Sequence, residues 1–449
     1  MLQNPPNQAA DLILHPRWIV PIIPSGEVRE HHSLVITDGT IEAIVPTEEA
    51  QQWPASEHIA LPQHALMPGL VNAHGHSAMS LLRGIADDYP LMEWLQDHIW
   101  PLETRFVSEA FVADGTDLAL LELVSSGTTC FSDMYFFPEI TAQRADFAGL
   151  RAQLVFPVID VATGWASGSA ECLEKGLQLR DAYRNHDRLT VGFGAHAVYT
   201  VNEATLERIT TLVNELQAPL QIHLHETQQE VAEAIGQRGE RPLQTLNRLG
   251  LLGPLTQCVH MTTLNDDDVA LLAATNSHVI HCPRSNMKLA SGICPVQQLR
   301  QADINVAIGT DGAASNNRLN MLSELQMAAL LGKIAHQDPT AVPAADALEM
   351  ATLGGARAMG LEDVIGTLEP GKAADVIALD LSGASSQPVS NVISHIVYAL
   401  SGDEVTHSWV AGKPLMTDGV PLNVDIDAII ARANQWPPRF AGAIPPETL

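Results

Sequence analysis

The chain has 449 residues, of which 46% are hydrophobic and 17% are charged, so it can bury a large core and is not a disordered protein. Its formal net charge of −28 repels phosphates, so neither nucleic acid nor an anionic membrane is an expected partner. The five cysteines form no CxxC pair, which argues against a disulfide scaffold and predicts a reducing, cytoplasmic location. No signal peptide and no membrane-spanning apolar run is visible in the sequence.

The two ends of the chain resemble each other in pattern. Short apolar strands separated by turns are predicted near the N-terminus at 11–20, 33–37 and 41–45, and near the C-terminus at 374–379 and 407–410. The middle of the chain differs, because strand-like runs alternate there with longer helical stretches such as 202–216 and 265–275. The eight predicted strands of this middle part are 65–67, 128–133, 152–159, 190–195, 220–224, 257–260, 278–281 and 305–309.

Eight strand–helix repeats in roughly 300 residues favour a (β/α)8 TIM-like barrel. A doubly wound sheet is the alternative, but it usually carries a Gly-rich phosphate turn, and none is convincing in this sequence. The barrel interpretation predicts that the active site lies at the carboxyl ends of the strands.

Residues suited to bind a metal follow several of these strands. His74 and His76 are two residues apart after the first strand, a spacing that places both imidazoles on one side of an extended chain. His223, His260 and Asp311 end predicted strands five, six and eight. An HxH pair alone is weak evidence, but four separate placements on one barrel face together predict a site for a borderline-soft divalent cation.

These segments carry a resemblance to a known family. "LMPGLVNAHGHSAMSLLRGIADDYPLMEWLQDHIWPLE", "IHLHET", "VHMTTL", "HCPRSNMKLASG" and "AIGTDGAASNN" resemble, in this order, motifs of the amidohydrolase superfamily and within it the 5-methylthioadenosine/S-adenosylhomocysteine deaminases. "GTLEPGKAADVIALDL" is similar to the return of the chain to a small β domain. The resemblance implies a small β-sandwich domain built from 1–65 and 365–449, and a catalytic barrel over 66–364.

The resemblance also implies a metal ion, and the sequence bears on how many. Relatives with two metals bridge them with a carboxylated lysine that ends strand four. Between His76 and His223 the only lysine is Lys175, which lies in a polar helical stretch. One divalent ion per subunit is therefore expected on His74, His76, His223 and Asp311. Zinc is the first choice, and iron(II) and manganese(II) suit the same ligands.

The expected reaction is hydrolytic deamination of an adenine nucleoside to the inosine analogue and ammonia. In this interpretation Glu226 protonates the purine ring at N1, His260 orients the attacking hydroxide, and Asp311 carries the proton of the water toward ammonia. Glu103 resembles the residue that accepts the ribose hydroxyls in the family. His196 resembles a second substrate contact that donates to a purine nitrogen or a ribose oxygen.

The substrate's 5′ substituent is the least constrained part of this prediction. Relatives that use S-adenosylhomocysteine can bind its carboxylate with arginines after the third strand, but no arginine occurs between Ala152 and Leu179. An uncharged tail, as in 5′-methylthioadenosine, is therefore the expected preference, with S-adenosylhomocysteine and adenosine as further substrates. Arg144, Arg151 or an arginine from a neighbouring subunit could supply the missing cation, and Trp165 is a candidate cover for this end of the pocket.

Two other functions remain open at this point. The first is an aminohydrolase that acts on s-triazines or another free ring, for which a ribose-binding Glu103 would have no use. The second is a barrel that assembles with partners without catalysis, although such a protein would not need an intact ligand set. A homo-oligomer is expected, because barrels of this kind often pair. The SxxK match Ser285–Lys288 lacks its companion motifs, and His225 and His281 are taken as supporting residues.

Overall fold

The computed structural model describes residues 9–422 and 424–441. Its N-terminal part forms a small sheet whose inward faces are lined by buried aliphatic side chains. The elements of this part are β1 (Ala10–Ile19), β2 (Arg29–Glu30), β3 (His32–Thr37), β4 (Thr40–Pro46), α1 (Thr47–Ala50) and β5 (Ala55–Pro68).

The middle part forms a sheet of eight parallel strands in which each strand pairs with its neighbour in sequence. The strands are β6 (Leu70–Asn72), β7 (Thr128–Asp133), β8 (Arg151–Val158), β9 (Leu189–Ala197), β10 (Leu220–Leu224), β11 (Thr256–His260), β12 (His278–His281) and β13 (Val306–Ile308).

The first and last of these strands meet and close the sheet into a barrel. The backbone N–H of Ala73 donates to the carbonyl of Ile308 at 2.9 Å, and that of Asp311 donates to the carbonyl of His74 at 3.1 Å. Gly309 allows this approach, because a Cβ there would lie 2.9 Å from backbone atoms of His74. The seam between the first and last strands thus joins two segments that carry predicted site residues.

Helices surround the barrel. A continuous helical segment is formed by α2 (Leu91–Glu93), a π-helical stretch (Trp94–Ile99) and α3 (Trp100–Phe106), and a 3₁₀ turn covers Ser77–Leu82. None of the helices in the described residues is long and apolar enough to cross a membrane. The remaining helices of this part are α4 (Glu109–Ser125), α5 (Pro138–Ala148), α6 (Ser169–Ala182), α7 (Glu203–Leu216), α8 (Gln228–Arg238), α9 (Pro242–Leu249), α10 (Asp266–Thr275), α11 (Pro283–Lys288), α12 (Val296–Gln301), α13 (Ala313–Asn316), α14 (Met321–His336), α15 (Ala344–Met350) and α16 (Leu353–Ala358).

The C-terminal part returns to the small sheet. Its elements are β14 (Val376–Asp380), α17 (Val392–Tyr398), β15 (Val405–Val410), β16 (Lys413–Thr417), β17 (Val420–Pro421), α18 (Ile426–Ala433) and α19 (Pro437–Phe440). Because β14 pairs with β5, the two chain ends form one mixed sheet in the order β17-β16-β15-β14-β5-β1-β3-β4, with β2 beside β1. The predicted architecture, a TIM-like barrel with a small β domain from both ends, is confirmed.

One predicted barrel strand is wrong. Residues 65–67 belong to the end of β5, where Met67 pairs with Ile377 of β14, and the barrel begins instead at Leu70. The run "ALMPGLV" contains no polar side chain and is buried in both sheets, so hydrophobicity alone does not show where one strand ends and the next begins. The other seven predicted barrel strands lie where the structure has them, within two residues at each end.

A buried ion pair joins the barrel to the small sheet. The Arg151 guanidinium at the start of β8 donates to both carboxylate oxygens of Asp375, at 2.7 and 3.2 Å, and Asp375 also accepts the backbone N–H of Ala411 at 2.8 Å. Both side chains are more than nine-tenths buried. Removing one partner would leave the other charge buried and unpaired, which typically costs about 3–5 kcal/mol.

We therefore expect Arg151→Met to lower the free energy of unfolding by about 3–5 kcal/mol. Urea denaturation followed by circular dichroism measures this, with Arg29→Gln as the control, since Arg29 pairs with Glu27 in a half-exposed site. A variant as stable as the control would show that the pair contributes nothing to holding the two sheets together.

Candidate metal centre and active site

Three histidines at the carboxyl face of the barrel have their tautomers fixed by neighbours. The Nδ1 atoms of His74, His76 and His223 contact Gln221 Oε1 at 2.7 Å, the Met134 carbonyl at 2.5 Å and the His196 carbonyl at 2.8 Å, respectively. Each of these partners is an oxygen that can only accept, so each Nδ1 carries the hydrogen. All three Nε2 atoms consequently present lone pairs.

These lone pairs converge with a carboxylate. Nε2 of His74 lies 3.2 Å from Nε2 of His223 and 3.4 Å from Asp311 Oδ1, and Nε2 of His76 lies 3.2 Å from the same oxygen. Facing lone pairs repel one another unless a cation lies between them. Three imidazole nitrogens and one carboxylate oxygen are a donor set that divalent transition metals prefer, so the residues present fit such an ion.

His260 belongs to the same cluster by distance but differs in protonation. One of its ring nitrogens lies within 4.8 Å of those of His74 and His223. Its Nδ1 is contacted at 3.0 Å by the amide nitrogen of Asn286, which can only donate. With the Asn286 amide in this orientation the hydrogen of His260 is on Nε2, so this residue presents a donor to the site and not a fourth imidazole ligand.

Backbone conformation also marks this face. His260 and Asp311 have left-handed φ values of 77° and 62°, and His225 has one of 52°. Such a conformation costs non-glycine residues free energy and persists only where the surrounding contacts enforce it, most often at functional sites. It turns the chain sharply at the strand ends, so that the His260 and Asp311 side chains point into the centre.

Glu226, two residues after β10, is buried beside this cluster. Its Oε1 accepts a hydrogen bond from Ser291 Oγ at 3.3 Å, and its Oε2 lies 3.7 Å from His260 Nε2. Burial, and then the charge of Asp311, raises the pKa of Glu226 to about 8, so the carboxyl is protonated at neutral pH. Its backbone N–H donates at 2.6 Å to Glu230, a second buried carboxyl that fixes this turn.

A cavity of about 680 Å³ opens onto the cluster. The π-helical stretch between α2 and α3 forms one wall with Trp94 and Leu95, and π-helical turns are frequent at functional sites. Among the lining residues are seven that the sequence analysis singled out: His76, Glu103, His196, His223, Glu226, His260 and Asp311.

Two polar groups face this cavity away from the cluster. Glu103 on α3 accepts a hydrogen bond from the Tyr135 hydroxyl at 2.7 Å, and burial raises the pKa of Glu103 to about 7, although the Tyr135 bond lowers it. His196 contacts the Thr200 hydroxyl at 2.9 Å through Nδ1. Thr200 gives its own hydrogen to the Ala197 carbonyl, so the His196 Nδ1 donates and its Nε2 presents a lone pair.

Comparison with known proteins identifies the family. The sequence model of the amidohydrolase family matches residues 65–415. A 5-methylthioadenosine/S-adenosylhomocysteine deaminase of Saccharophagus degradans is 53% identical over 428 residues, which are 95% of this chain and 96% of the relative. The chain belongs to the amidohydrolase family and to its 5-methylthioadenosine/S-adenosylhomocysteine deaminases.

Two further amidohydrolases support this family assignment. A deaminase of the same name from Teredinibacter turnerae is 52% identical over 95% of this chain and 97% of its own length. The crystal structure of an adenosine deaminase from Xanthomonas campestris with bound zinc has a TM-score of 0.96 and 44% identity, covering 97% of this chain and 100% of that one. The resemblance carried by the sequence motifs is confirmed, and with it the assignment as an enzyme.

Some predicted residues of this amidohydrolase lie away from the cavity. Both ring nitrogens of His225 are bonded within the fold, one to the Thr263 carbonyl and one to the Leu243 N–H. The Trp165 indole donates to Glu139 and is buried. Arg144 pairs with Asp117, and Arg151 pairs with Asp375, so neither is available to a substrate.

Several residues that were not predicted from the sequence hold the site residues in place or line the cavity. Ser285 Oγ donates to Asp311 Oδ2 at 2.6 Å, and Asn286 contacts His260, so two neighbours on α11 hold two residues from different strands. Both belong to the SxxK match that was set aside, and to the family motif "HCPRSNMKLASG". Tyr135 and Arg238 also line the cavity, and no local sequence signal marked either of them.

Proposed function

We propose that this amidohydrolase deaminates adenine nucleosides with a 5′ substituent, forming the inosine analogue and ammonia. The observation that carries the proposal is the buried Glu226 carboxyl, 3.7 Å from His260 Nε2, beside three converging imidazole nitrogens and the Asp311 carboxylate. The relatives named above, at 52–53% identity, provide the class of substrate.

In this proposal His74, His76, His223 and Asp311 hold one divalent ion per subunit, with zinc the first choice. When bound, such an ion supplies a Lewis acid that lowers the pKa of water in its open coordination position to about 7. Support comes from the converging Nε2 atoms and from the zinc in the crystal structure of the Xanthomonas campestris relative. The absence of a lysine at the end of β9 supports a single ion.

The side chains have separate tasks in the reaction, which forms a C6–O bond and breaks the C6–NH2 bond. Glu226 donates its proton to purine N1, so that the ring can accept electrons at C6. Asp311 takes a proton from the attacking water and delivers it to the departing amino group. His260 donates a hydrogen bond from Nε2 to the oxygen on C6 as negative charge develops there. The proton that remains on this oxygen returns to Glu226 as the C6–NH2 bond breaks and the C6 carbonyl forms.

Glu103 and His196 position the ribose in this proposal. The Glu103 carboxylate can accept both hydroxyls of one ribose. His196 was predicted as a donor, but its hydrogen is committed to Thr200, so we now assign it as an acceptor for a hydroxyl. Tyr135 holds Glu103 in place by donating a hydrogen bond from its hydroxyl.

Tyr135→Phe tests this arrangement. Losing one hydrogen bond to Glu103 should lower kcat/KM on 5′-methylthioadenosine about two- to ten-fold, while activity on a 2′,3′-dideoxy analogue changes little, because that analogue has no hydroxyls for Glu103. The matched control is Tyr183→Phe, which removes a phenol that does not line the cavity. Equal losses on the two nucleosides would show that Tyr135 has a general structural role and none in binding ribose.

The two alternative functions are not favoured. A free-ring aminohydrolase has no use for Glu103 as a ribose-binding group in the cavity wall, and a non-catalytic barrel has no use for the intact cluster. Assays of the metal-loaded protein on 5′-methylthioadenosine, S-adenosylhomocysteine, adenosine, melamine and guanine test the proposal. We expect turnover of the nucleosides only; turnover of melamine or guanine without any of the nucleosides would overturn it.

We also propose a cytoplasmic location and a homo-oligomeric state. All five cysteines are unpaired and buried within the described residues, which suits a reducing compartment.

Leu330 and Ile334, one turn apart on α14, expose 44% and 75% of their surface, and adjacent exposed apolar side chains favour self-association. Light scattering coupled to gel filtration tests the oligomeric state.

A further inference from the structure

We propose that Arg238 is the binding residue for an anionic group on the 5′ substituent of the substrate, namely the carboxylate of an amino-acid tail. The inference rests on the proposed function, because it assumes that the nucleoside occupies the cavity with its purine at the metal cluster. It assigns the recognition of the tail to α8, a helix that the sequence analysis did not connect with the substrate.

Arg238 lines the cavity, and its guanidinium has one nitrogen with a hydrogen-bond acceptor and another without one. Arg238 is the last residue of α8 and lines the same cavity as Glu226 and His196. Its Nη2 donates to the Val198 carbonyl at 2.6 Å, which fixes the plane of the group. Its Nη1 is buried without a hydrogen-bond partner among the described residues.

Within residues 9–422 and 424–441 no ion pair joins Arg238 to a carboxylate. Glu203 and Glu240 are both bonded to Arg248, and they lie close enough to Arg238 for its charge to lower their pKa values. A buried N–H without an acceptor is costly, and a carboxylate placed against a guanidinium can accept two parallel hydrogen bonds. Among the described residues that line the cavity, Arg238 is the one arginine or lysine.

A carboxylate that bonds the same stretch of chain also lines this cavity. Asp160 accepts the backbone N–H of Asn202 at 2.5 Å and the Thr205 hydroxyl at 3.0 Å, and it lines the cavity as well. Arg238 and Asp160 therefore both bond the stretch 198–205 that follows β9 and leads into α7. A cation and an anion fixed to one stretch of chain match a tail that carries both a carboxylate and an ammonium group, as the homocysteine tail of S-adenosylhomocysteine does.

The chemistry of this end also accepts an uncharged tail. Val161 and Tyr199 line the cavity there with 61% and 40% of their surface exposed, so an apolar thioether has contacts and a charged tail keeps access to water. The expected preference for an uncharged tail rested on the lack of an arginine between Ala152 and Leu179. Because Arg238 supplies a cation from another part of the chain, a charged tail is no longer expected to be excluded.

The test compares Arg238→Gln and Arg238→Lys with the unaltered metal-loaded protein. The substrates are S-adenosylhomocysteine, 5′-methylthioadenosine and the aminopropylthio analogue, which keeps the ammonium and lacks the carboxylate. We expect Arg238→Gln to lower kcat/KM on S-adenosylhomocysteine about ten- to hundred-fold, because a charge-assisted contact is lost, and to leave the other two within about two-fold. Arg238→Lys, which retains the charge but not the planar fork, should lose less.

Arg184→Gln is the matched control, since Arg184 is exposed and does not line the cavity. Calorimetric Kd values for S-adenosylhomocysteine and 5′-methylthioadenosine, measured on the same variants, separate the two proposals. If the unaltered protein turned over none of the nucleosides, the proposed function would fail, and the ratio of Kd values would still decide the role of Arg238. Equal losses on all three substrates, or none on S-adenosylhomocysteine, would overturn the inference.

Discussion

Asp311→Asn is expected to reduce deamination to the background rate and to lower the amount of bound metal. Among the described residues, Asp311 supplies the only carboxylate oxygen within 3.4 Å of the His74 and His76 Nε2 atoms, and in the proposed reaction it also carries the proton. An amide preserves the shape but neither balances the charge of a divalent cation nor accepts a proton at neutral pH. His74→Ala should have the same two effects, since it removes one converging lone pair.

Metal content by atomic emission and turnover of 5′-methylthioadenosine measure these effects on the same samples. The matched control is Asp303→Asn, because Asp303 is an exposed acid that also has a left-handed backbone and lies outside the cavity. If Asp311→Asn kept both its metal and its rate, the assignment of this cluster as the catalytic centre would be wrong.

Glu226→Gln is expected to keep the metal and lose about 10²–10⁴-fold in kcat, the range typical of a lost general acid. Burial raises the pKa of Glu226 to about 8, so the native side chain holds a transferable proton at neutral pH, whereas glutamine has none. Glutamine retains an oxygen that can accept from Ser291, so the turn after β10 should be preserved.

The control for this variant is Glu233→Gln, an exposed carboxylate on α8 that is bonded only by Gln229 among the described residues. Single-turnover measurements separate the chemical step from product release. A Glu226→Gln rate within a few-fold of the unaltered protein would show that another group protonates the purine ring.

The barrel and its site could be predicted from the sequence because the evidence for both is local and repeated. The apolar strands from residue 128 onward and the residues that end them, such as His223 and His260, recur at a spacing that favours a parallel barrel. The start of the barrel could not be located in the same way. The run around Met67 is buried in both sheets, and its division depends on pairing with β14, about 310 residues further along the chain.

Supporting residues were harder to predict, because their roles depend on distant contacts. Gln221 fixes the tautomer of His74 from another strand, and Asn286 fixes that of His260 from α11. Arg238 illustrates the same limit, since a search for a cation near the third strand cannot reveal an arginine that α8 brings to the cavity. The sequence indicates which residue types the chemistry needs, whereas the fold determines which of them meet.

The central claim is that one divalent ion, held by three histidines and Asp311, enables this protein to deaminate an adenine nucleoside. It is tested most directly by adding zinc to metal-free protein in sub-stoichiometric steps, while following ammonia release and the adenine-to-hypoxanthine absorbance change on 5′-methylthioadenosine. We expect both signals to rise together, in equal molar amounts, and to reach a plateau at one ion per chain. Full activity in the metal-free protein, or no ammonia at any zinc ratio, would contradict it.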